Sequence, residues 1–156
     1  MAIAMTLKEY LANQDVPYDL LPHPHTSSSS ATAHAAHVSG DKLLKSVMLQ
    51  DEKGLVMAVL PATHRVELGT LYQRTHRNLG LASEMEFAPY LEDCELGAIP
   101  PVGPAYGIET IVDDSIEDLP DLYFEAGDHK GLVHMRGDHY LKLLRGSVQV
   151  QFTHRI

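Results

Sequence analysis

Lys45 is the residue whose setting in this sequence most favours chemistry. If residues 43–49 form a strand, Lys45 shares one face with Leu43, Val47 and Leu49, because side chains alternate with a period of two. A lysine among apolar neighbours either extends to the surface or enters a partly dry pocket. In a pocket, its ammonium would bind a phosphate or carbonyl oxygen as a point charge. The pattern alone favours the surface position.

The loop from Gly97 to Gly103, Gly-Ala-Ile-Pro-Pro-Val-Gly, is a second candidate. Its glycines permit close approach to the backbone, whereas its two prolines stiffen the loop and offer no N–H. Donors would therefore come from Ala98, Ile99, Val102 or Gly103. Such amides could bind the carboxyl or ester oxygen of a ligand. A plain surface turn is the simpler interpretation.

His129 is a third candidate, because it follows Gly127 and Asp128 in a short segment between two predicted strands. A loop histidine beside an acid could position a substrate or transfer a proton. A solvated hairpin residue is the default interpretation of the same pattern, so the position of His129 in the fold decides between the two.

The ten histidines of the chain raise the question of a metal site. His34 and His37 are three residues apart on a predicted helix and would face the same way. His23 and His25 would share one side of an extended segment. No His-Glu-x-x-His motif occurs, however, and no third ligand stands at an interpretable spacing. The sequence therefore predicts no metal site.

Nucleophilic catalysis by a serine or cysteine is not indicated either. The sequence lacks the Gly-x-Ser-x-Gly motif of serine hydrolases. Its single cysteine, Cys94, lies between Asp93 and Glu95, whose charges would raise the thiol pKa rather than activate the thiol. Phosphate-binding loops and the glycine motifs of dinucleotide-binding proteins are also missing, so no cofactor is predicted.

Length and composition predict one domain, spanning residues 1–156, because 44% of the residues are hydrophobic and can form a sizeable core. No stretch approaches the roughly 18 consecutive apolar residues of a membrane span. A single cysteine and the lack of a basic, apolar leader favour a cytoplasmic protein. The formal net charge of −9 disfavours DNA and any broad nucleic-acid surface.

The charge is unevenly distributed along the chain. No Lys or Arg occurs between Arg77 and Lys130, whereas acids recur from Glu84 to Asp128. If the flanking basic residues converge in the fold, one face could accept a short piece of RNA; scattered surface charge is the competing interpretation. These basic residues are Lys42, Lys45, Arg65, Arg74, Arg77, Lys130, Arg136, Lys142 and Arg145.

The elements that would position these residues follow from periodicity, caps and turns. Residues 43–49 and 55–60 predict two strands joined by a hairpin. Hairpins dominate without regular βαβα alternation, which predicts an α/β (α+β) fold with a mixed, largely antiparallel, barrel-like sheet flanked by helices. Further strands are predicted at 16–20, 110–112, 122–126, 132–135 and 148–152.

Helices are predicted at 6–13 and around 68–74. A third helix is predicted to begin with a cap within 28–30 and to end at Gly40. Two more are predicted to begin after Ser83 and after Asp138, with Asp138 as the capping residue.

Taken in order, several short segments resemble the YbaK/EbsC family, whose fold also forms the editing insertion domain of bacterial prolyl-tRNA synthetase. Gly97 and Pro101 fit the family's Gly-x-x-x-Pro element. The resemblance covers nearly the whole chain and depends on the order and spacing of the segments. These are an Ala-rich helix before a strand, Lys-Ser-Val-Met-Leu from Lys45, Ala-Val-Leu-Pro-Ala at 58–62, the loop 97–103, Val-Asp-Asp-Ser at 112–115, and Phe-Glu-Ala-Gly-Asp-His ending at His129.

The resemblance implies a mixed, barrel-like sheet and an enzyme that hydrolyses the ester between a mistaken amino acid and transfer RNA, in related members transfer RNA for proline. Carried over by position, Lys45 and His129 would be catalytic. Lys45 would contact the carbonyl or terminal phosphate, His129 would help to position the aminoacyl group, and backbone amides around residues 97–101 would orient it. The implied substrate-binding residues are Ser46, Gly97, Ala98, Ile99, Pro101, Gly103 and Gly127.

Two positions depart from the family pattern and leave the edited amino acid open. Pro100 stands where many relatives have a small or hydroxyl residue and removes one backbone donor, and Ser46 follows the lysine at a variable position. The implied partners are the acceptor end of aminoacyl-tRNA and, because the chain is acidic, a synthetase or translation factor that recruits it. The alternatives are a non-catalytic binding module of the same fold, for an aminoacyl or nucleotide ligand, and a histidine-dependent metalloprotein.

Overall fold

The computed structural model describes residues 3–25 and 28–156. Short 3-10 turns lie at Ala88–Tyr90, Gly103–Tyr106 and Asp114–Ile116. None of the helices in these ranges is long and apolar enough to cross a membrane. The α-helices of the described residues are α1 (Met5–Gln14), α2 (Ser29–Ala36), α3 (Leu68–Thr75), α4 (Glu84–Phe87) and α5 (Gly137–Leu143).

Ten strands accompany these helices in the described ranges, and seven of them overlap the predicted strand segments. They are β1 (Asp19–Pro22), β2 (Leu43–Asp51), β3 (Gly54–Pro61), β4 (His64–Val66), β5 (Gly80–Leu81), β6 (Glu109–Asp113), β7 (Asp121–Glu125), β8 (Gly131–Arg136), β9 (Val148–Val150) and β10 (Thr153–Arg155). The sequence did not predict β4, β5 or β10, which are too short for a clear alternation.

Eight strands form one mixed sheet in the order β1-β8-β7-β2-β3-β6-β9, with β5 paired to the end of β2. The pairs β2–β3, β7–β8, β1–β8 and β2–β5 are antiparallel. The pairs β2–β7, β3–β6 and β6–β9 are parallel. Strands β4 and β10 form a separate antiparallel ribbon. The predicted fold class, a mixed and largely antiparallel sheet flanked by helices, is confirmed.

Two predicted helix boundaries need correction. Helix α2 begins as predicted, since the Ser28 hydroxyl accepts the N–H of Ala31 at 3.1 Å, but it ends at Ala36 rather than at Gly40. His37 stops it by adopting the left-handed conformation (φ 58°). Asp138 was predicted to cap α5 and does not. The capping position belongs to Arg136, and Asp138 lies in the first turn.

Two predicted strands also differ in extent. The strand predicted at 16–20 begins only at Asp19 and runs to Pro22, which is tolerated because β1 is an edge of the sheet. The strand predicted at 148–152 divides into β9 and β10. The division has a physical cause, because the N–H of buried Phe152 donates to the Asp113 carboxylate at 3.0 Å instead of to a neighbouring strand.

Strand β2 is packed on both faces, which explains its continuous apolar sequence. Leu44 and Met48 belong to the largest core cluster, together with residues of α1 and α5. Leu49 packs with residues of α3, and Leu43 packs with Ala33 of α2. Burying each of these leucines contributes about 1.5–3 kcal/mol. The packed core therefore fixes the position of the backbone that carries Lys45.

Candidate active site

A cavity of about 310 Å³ lies between β2, the start of α2 and the loop 97–103. Its size is near the lower end of ligand pockets, which hold roughly 300–1,000 Å³. Apolar and polar groups share the wall, as in sites that orient a small ligand. The lining residues are Ser28, Ser29, Leu44, Lys45, Ser46, Met48, Phe87, Gly97, Ile99 and Glu125.

Lys45 lines this cavity rather than extending freely into solvent. Its side chain is half-buried, and its Nζ donates to the carbonyl oxygen of Ala62 at 3.3 Å. Burial, followed by the nearby positive charge of Arg65, lowers the pKa of Lys45 below its ordinary value. No ion pair in the described ranges neutralises Lys45. Its ammonium is thus a partly desolvated donor with capacity for a further acceptor.

Ser46 joins the strand to the loop on the opposite wall. Its hydroxyl donates to the carbonyl oxygen of Ile99 at 3.3 Å. Lys45 and Ser46 are consecutive in β2, so their side chains point to opposite faces of the strand, and both residues contribute to the cavity wall. Lys45, Ser46, Gly97 and Ile99 line the same cavity, and their action on a substrate there stays a prediction.

Some backbone amides of the loop 97–103 donate hydrogen bonds within the protein, and others do not. The N–H of Ala98 donates to Glu95 at 3.0 Å, and the N–H of Val102 donates to Pro100 at 2.8 Å. Among the hydrogen bonds of the described residues, none uses the N–H of Gly97 or Ile99. Both of these residues line the cavity, so they are the loop donors that a ligand oxygen would meet.

Three other predicted loop residues lie outside the cavity wall. Ala98 is fully buried, and the Pro101 carbonyl accepts a hydrogen bond from the buried hydroxyl of Tyr140. Gly103 packs so closely on Thr110 that an added Cβ would overlap its hydroxyl. These contacts anchor the loop to the core, and none of them was predicted from the sequence.

His129 is buried and supports the loop from behind. Its Nε2 donates to the carbonyl oxygen of Leu96 at 3.0 Å, because a carbonyl can only accept. Its ring lies 5.1 Å from that of His25, and its backbone is left-handed (φ 62°). Gly127, with φ 122°, makes the sharp turn ahead of it, where an added Cβ would lie 2.9 Å from Ala4.

A buried acid beneath the cavity was missed in the sequence. Glu125 ends β7, and its Oε1 lies 2.9 Å from Nε2 of His23, whose side chain is fully buried. Burial raises the pKa of Glu125, while His23 and His129 act in the opposite direction. Both carboxylate oxygens are shielded from solvent. The available signal was a glutamate in the otherwise apolar segment 122–126.

Gly97→Ala tests the contact between the loop and His129. Gly97 has φ 90°, and an added Cβ would lie 3.1 Å from Cε1 of His129. We expect a loss of about 1–2 kcal/mol in unfolding free energy from backbone strain, plus the cost of displacing His129. Gly107→Ala is the matched control, because Gly107 also has positive φ (68°) but open space around it. Equal losses in urea unfolding of the two variants would contradict the His129 contact.

The remaining candidates do not assemble a reactive centre. Within residues 3–25 and 28–156, no group of three or more His, Cys, Asp or Glu side chains could hold a metal ion. Burial raises the pKa of Cys94 to about 12, and the Asp93 charge adds to this effect. The predicted direction for Cys94 is confirmed, although burial rather than charge is the larger cause.

Comparison with known protein families gives a match over most of the chain. The family model described as "aminoacyl-tRNA editing domain" matches residues 23–143. This range contains every lining residue of the cavity and both predicted catalytic residues. No curated protein sequence matches the chain with significance.

Comparison with solved structures shows the same fold at low sequence identity. The crystal structure of a hypothetical protein, APE2540, superposes with a TM-score of 0.83 at 19% identity, covering 96% of this chain and 99% of that one. A "putative trans-editing enzyme for prolyl tRNA synthetase" superposes with a TM-score of 0.81 at 19% identity, covering 97% and 96% of the two chains. At this identity the likeness establishes the fold.

Proposed function

The chain belongs to the family of aminoacyl-tRNA editing domains, and from this premise we propose that it hydrolyses the ester that joins a wrongly attached amino acid to transfer RNA. The observation that supports this proposal best is that half-buried Lys45, for which the described residues show no ion pair, lines one cavity together with Gly97 and Ile99, whose amides have no hydrogen-bond partner in the same ranges. An aminoacyl ester needs donors for its carbonyl oxygen, and these groups are donors.

Lys45 is assigned to the charge that develops in the reaction. When water adds to the carbonyl carbon, negative charge grows on the carbonyl oxygen, and a partly desolvated ammonium stabilises it more strongly than a solvated one. Alternatively, the ammonium holds the terminal phosphate and so fixes the ester in place. The amides of Gly97 and Ile99 orient the aminoacyl group, and His129 keeps their loop in position.

The reaction needs neither a protein nucleophile nor a bound cofactor. The oxygen of water forms a bond to the carbonyl carbon, and the bond from that carbon to the ribose oxygen breaks. The ribose oxygen takes up the proton that water loses, with the neighbouring ribose hydroxyl as relay. Free amino acid and transfer RNA leave. The protein contributes orientation and electrostatic stabilisation to an ester that is already activated.

We propose transfer RNA for proline as the substrate, carrying a small wrong amino acid. A cavity of about 310 Å³ has room for a small side chain beside the ribose. The structural neighbour named for prolyl tRNA synthetase favours the same choice. Because the net charge of −9 weakens binding of RNA, we also propose recruitment by a synthetase or translation factor in the cytoplasm.

The test is deacylation of transfer RNA for proline charged with alanine, cysteine, serine or proline. We expect the wild-type protein to hydrolyse at least one mischarged species well above the uncatalysed rate and to spare the proline ester. If every species decays at the uncatalysed rate, other mischarged transfer RNAs are assayed next. Tight binding of charged transfer RNA without any hydrolysis would replace the enzyme with a binding module.

A further inference from the structure

Glu125 lines the cavity next to the point where β2 and β7 separate. Strand β7 pairs with β2 only through residues 43–44 of β2. Lys45 and Glu125 directly follow this pairing on their strands, and both line the cavity. No ion pair joins them in the described ranges, since Lys45 donates to a backbone carbonyl and Glu125 faces His23. Glu125 therefore does not neutralise Lys45, and its burial needs another explanation.

The geometry of the contact between His23 and Glu125 requires a proton. Nδ1 of His23 lies 2.7 Å from the carbonyl oxygen of Pro24 and donates to it, because a carbonyl can only accept. Nε2 of the same ring lies 2.9 Å from Oε1 of Glu125 and has no other partner among residues 3–25 and 28–156. Without a proton, a ring lone pair would face a carboxylate oxygen where water cannot reach, which is unfavourable. One proton, on the ring or on the carboxyl, removes this repulsion.

Helix α2 covers the side of the sheet on which Glu125 lies. Ala33 of α2 packs with Leu132, which stands directly opposite Glu125 on β8 and so points to the same face. The neighbouring Thr32 is buried, and its hydroxyl lowers the pKa of the Glu125 carboxyl. The same helix begins at the cavity, where residues 28–29 form part of the wall. A displacement of the Glu125 carboxyl would therefore move this wall.

We propose that one proton, shared by His23 and Glu125, holds α2 against the sheet and keeps the cavity in the shape that accepts the ester. Both residues are then positioning residues, which act through the cavity wall. Only the link to hydrolysis rests on the proposed function. When rising pH removes the proton, repulsion between the two groups separates them, loosens α2 and lowers activity.

The groups around Glu125 determine the direction of this pH dependence. Burial raises the pKa of Glu125, whereas His23, His129 and the Thr32 hydroxyl act in the opposite direction. Lys45, on the neighbouring strand, is turned to a backbone carbonyl. Because the folded state raises the pKa of Glu125, the stability that the proton contributes is present at low pH and is lost as pH rises through the folded value. The loss is therefore expected on the alkaline side.

The wild-type protein gives the first test, which needs no RNA. Nuclear magnetic resonance of isotope-labelled histidine shows which ring nitrogens carry a proton, and we expect a proton on Nδ1 of His23. A neutral ring protonated on Nε2 alone would be an ordinary donor to the carboxylate and would overturn the shared proton. Amide hydrogen exchange, corrected for the intrinsic rate, measures how firmly α2 is held. From neutral to alkaline pH, protection of α2 should fall about tenfold, the change for one lost buried hydrogen bond.

Glu125→Gln separates the proton from the contact. The glutamine amide can donate to Nε2 of His23, and its proton does not dissociate, so the contact persists at every pH. Protection of α2 should then no longer fall at alkaline pH. The same fall in the variant and the wild type would contradict the proposal.

Asp121→Asn is the matched control. Asp121 begins the same strand, β7, and lies 2.8 Å from a different histidine, His134, at a separate cavity. This variant should keep the wild-type pH dependence of α2 protection. If it removes that dependence as Glu125→Gln does, the effect is not specific to the pair, and the proposal is overturned.

Deacylation kinetics connect the pair to the reaction. After subtraction of the uncatalysed rate, Glu125→Gln should match the wild-type kcat/KM at neutral pH and exceed it about tenfold at alkaline pH, for the same lost hydrogen bond. A loss shared by both proteins belongs to Lys45 or to the ester. Inactive Glu125→Gln with firmly held α2 would mean that the carboxylate acts on the substrate itself, which overturns the proposal. If neither protein hydrolyses any ester while α2 behaves as expected, the shared proton stands and the enzyme is contradicted.

Discussion

Lys45→Ala is expected to lower kcat/KM for hydrolysis of a mischarged transfer RNA by about 10²–10³-fold, the usual cost of removing one donor to a developing oxyanion. The reason is that Lys45 lines the cavity, is half-buried, and donates from its ammonium to the carbonyl of Ala62. The measurement is initial deacylation rates over a range of substrate concentrations. The variant and wild type are compared on the same charged RNA.

A second substitution separates chemistry from folding. Because burial lowers the pKa of Lys45, the fold disfavours the protonated amine relative to the unfolded chain, and this costs stability at neutral pH. Lys45→Met keeps the aliphatic packing and removes that cost. We therefore expect Lys45→Met to be inactive and yet at least as stable as wild type in urea unfolding.

Lys53→Ala serves as the control for loss of a lysine from the same hairpin. Lys53 is exposed in the turn between β2 and β3, at the end of β2 opposite to Lys45. Its removal should leave deacylation unchanged. Full activity in Lys45→Ala, or equal loss in Lys53→Ala, would contradict the assigned role of Lys45. A loss of activity together with a large loss of stability in Lys45→Met would contradict the electrostatic argument.

Periodicity predicted the strand that carries Lys45 better than it predicted the surroundings of the Lys45 side chain. The alternation around Lys45 correctly placed it on the face of Leu43 and Leu49, since both faces of β2 are packed. Whether Lys45 reached solvent or a cavity depended on how α2 packs and on the loop 97–103, which lies about fifty positions away in sequence. Pattern alone favoured the surface, and the cavity requires the three segments to meet.

Two site features lay beyond sequence reasoning because they depend on long-range packing. Glu125 looked like an ordinary strand residue, and only its proximity to His23, about a hundred positions earlier, makes it a buried acid. Strands β4 and β10 have three residues each, too few to show an alternation. The position of Arg65 near Lys45 was therefore not predicted. Local signals such as the Ser28 cap and the Ser83–Glu86 capping box were read correctly, because both partners lie within one turn.

Gly103→Ala is expected to destabilise the protein by about 3 kcal/mol or more, at the upper end of the cost of overpacking a buried site. An added Cβ would overlap the hydroxyl of Thr110, which is itself buried, and would lie 2.7 Å from the carbonyl oxygen of Ile108. The side chain of Thr110 can rotate, but the carbonyl of Ile108 can move only if the backbone that leads into β6 moves with it, which costs more free energy. Urea unfolding measures the loss.

Two further variants complete this test: the first is a control, and the second separates the contribution of Thr110 from that of Ile108. Gly69→Ala lies in α3 with open space around it, so it should stabilise the protein by about 0.5–1 kcal/mol through helix propensity alone. Adding Thr110→Ala to Gly103→Ala removes the hydroxyl and leaves Ile108, so stability should recover only in part. Wild-type stability in Gly103→Ala would refute the close approach. Full recovery in the double variant would assign the whole cost to Thr110, and the loop would then be anchored by a side chain rather than by the backbone of β6.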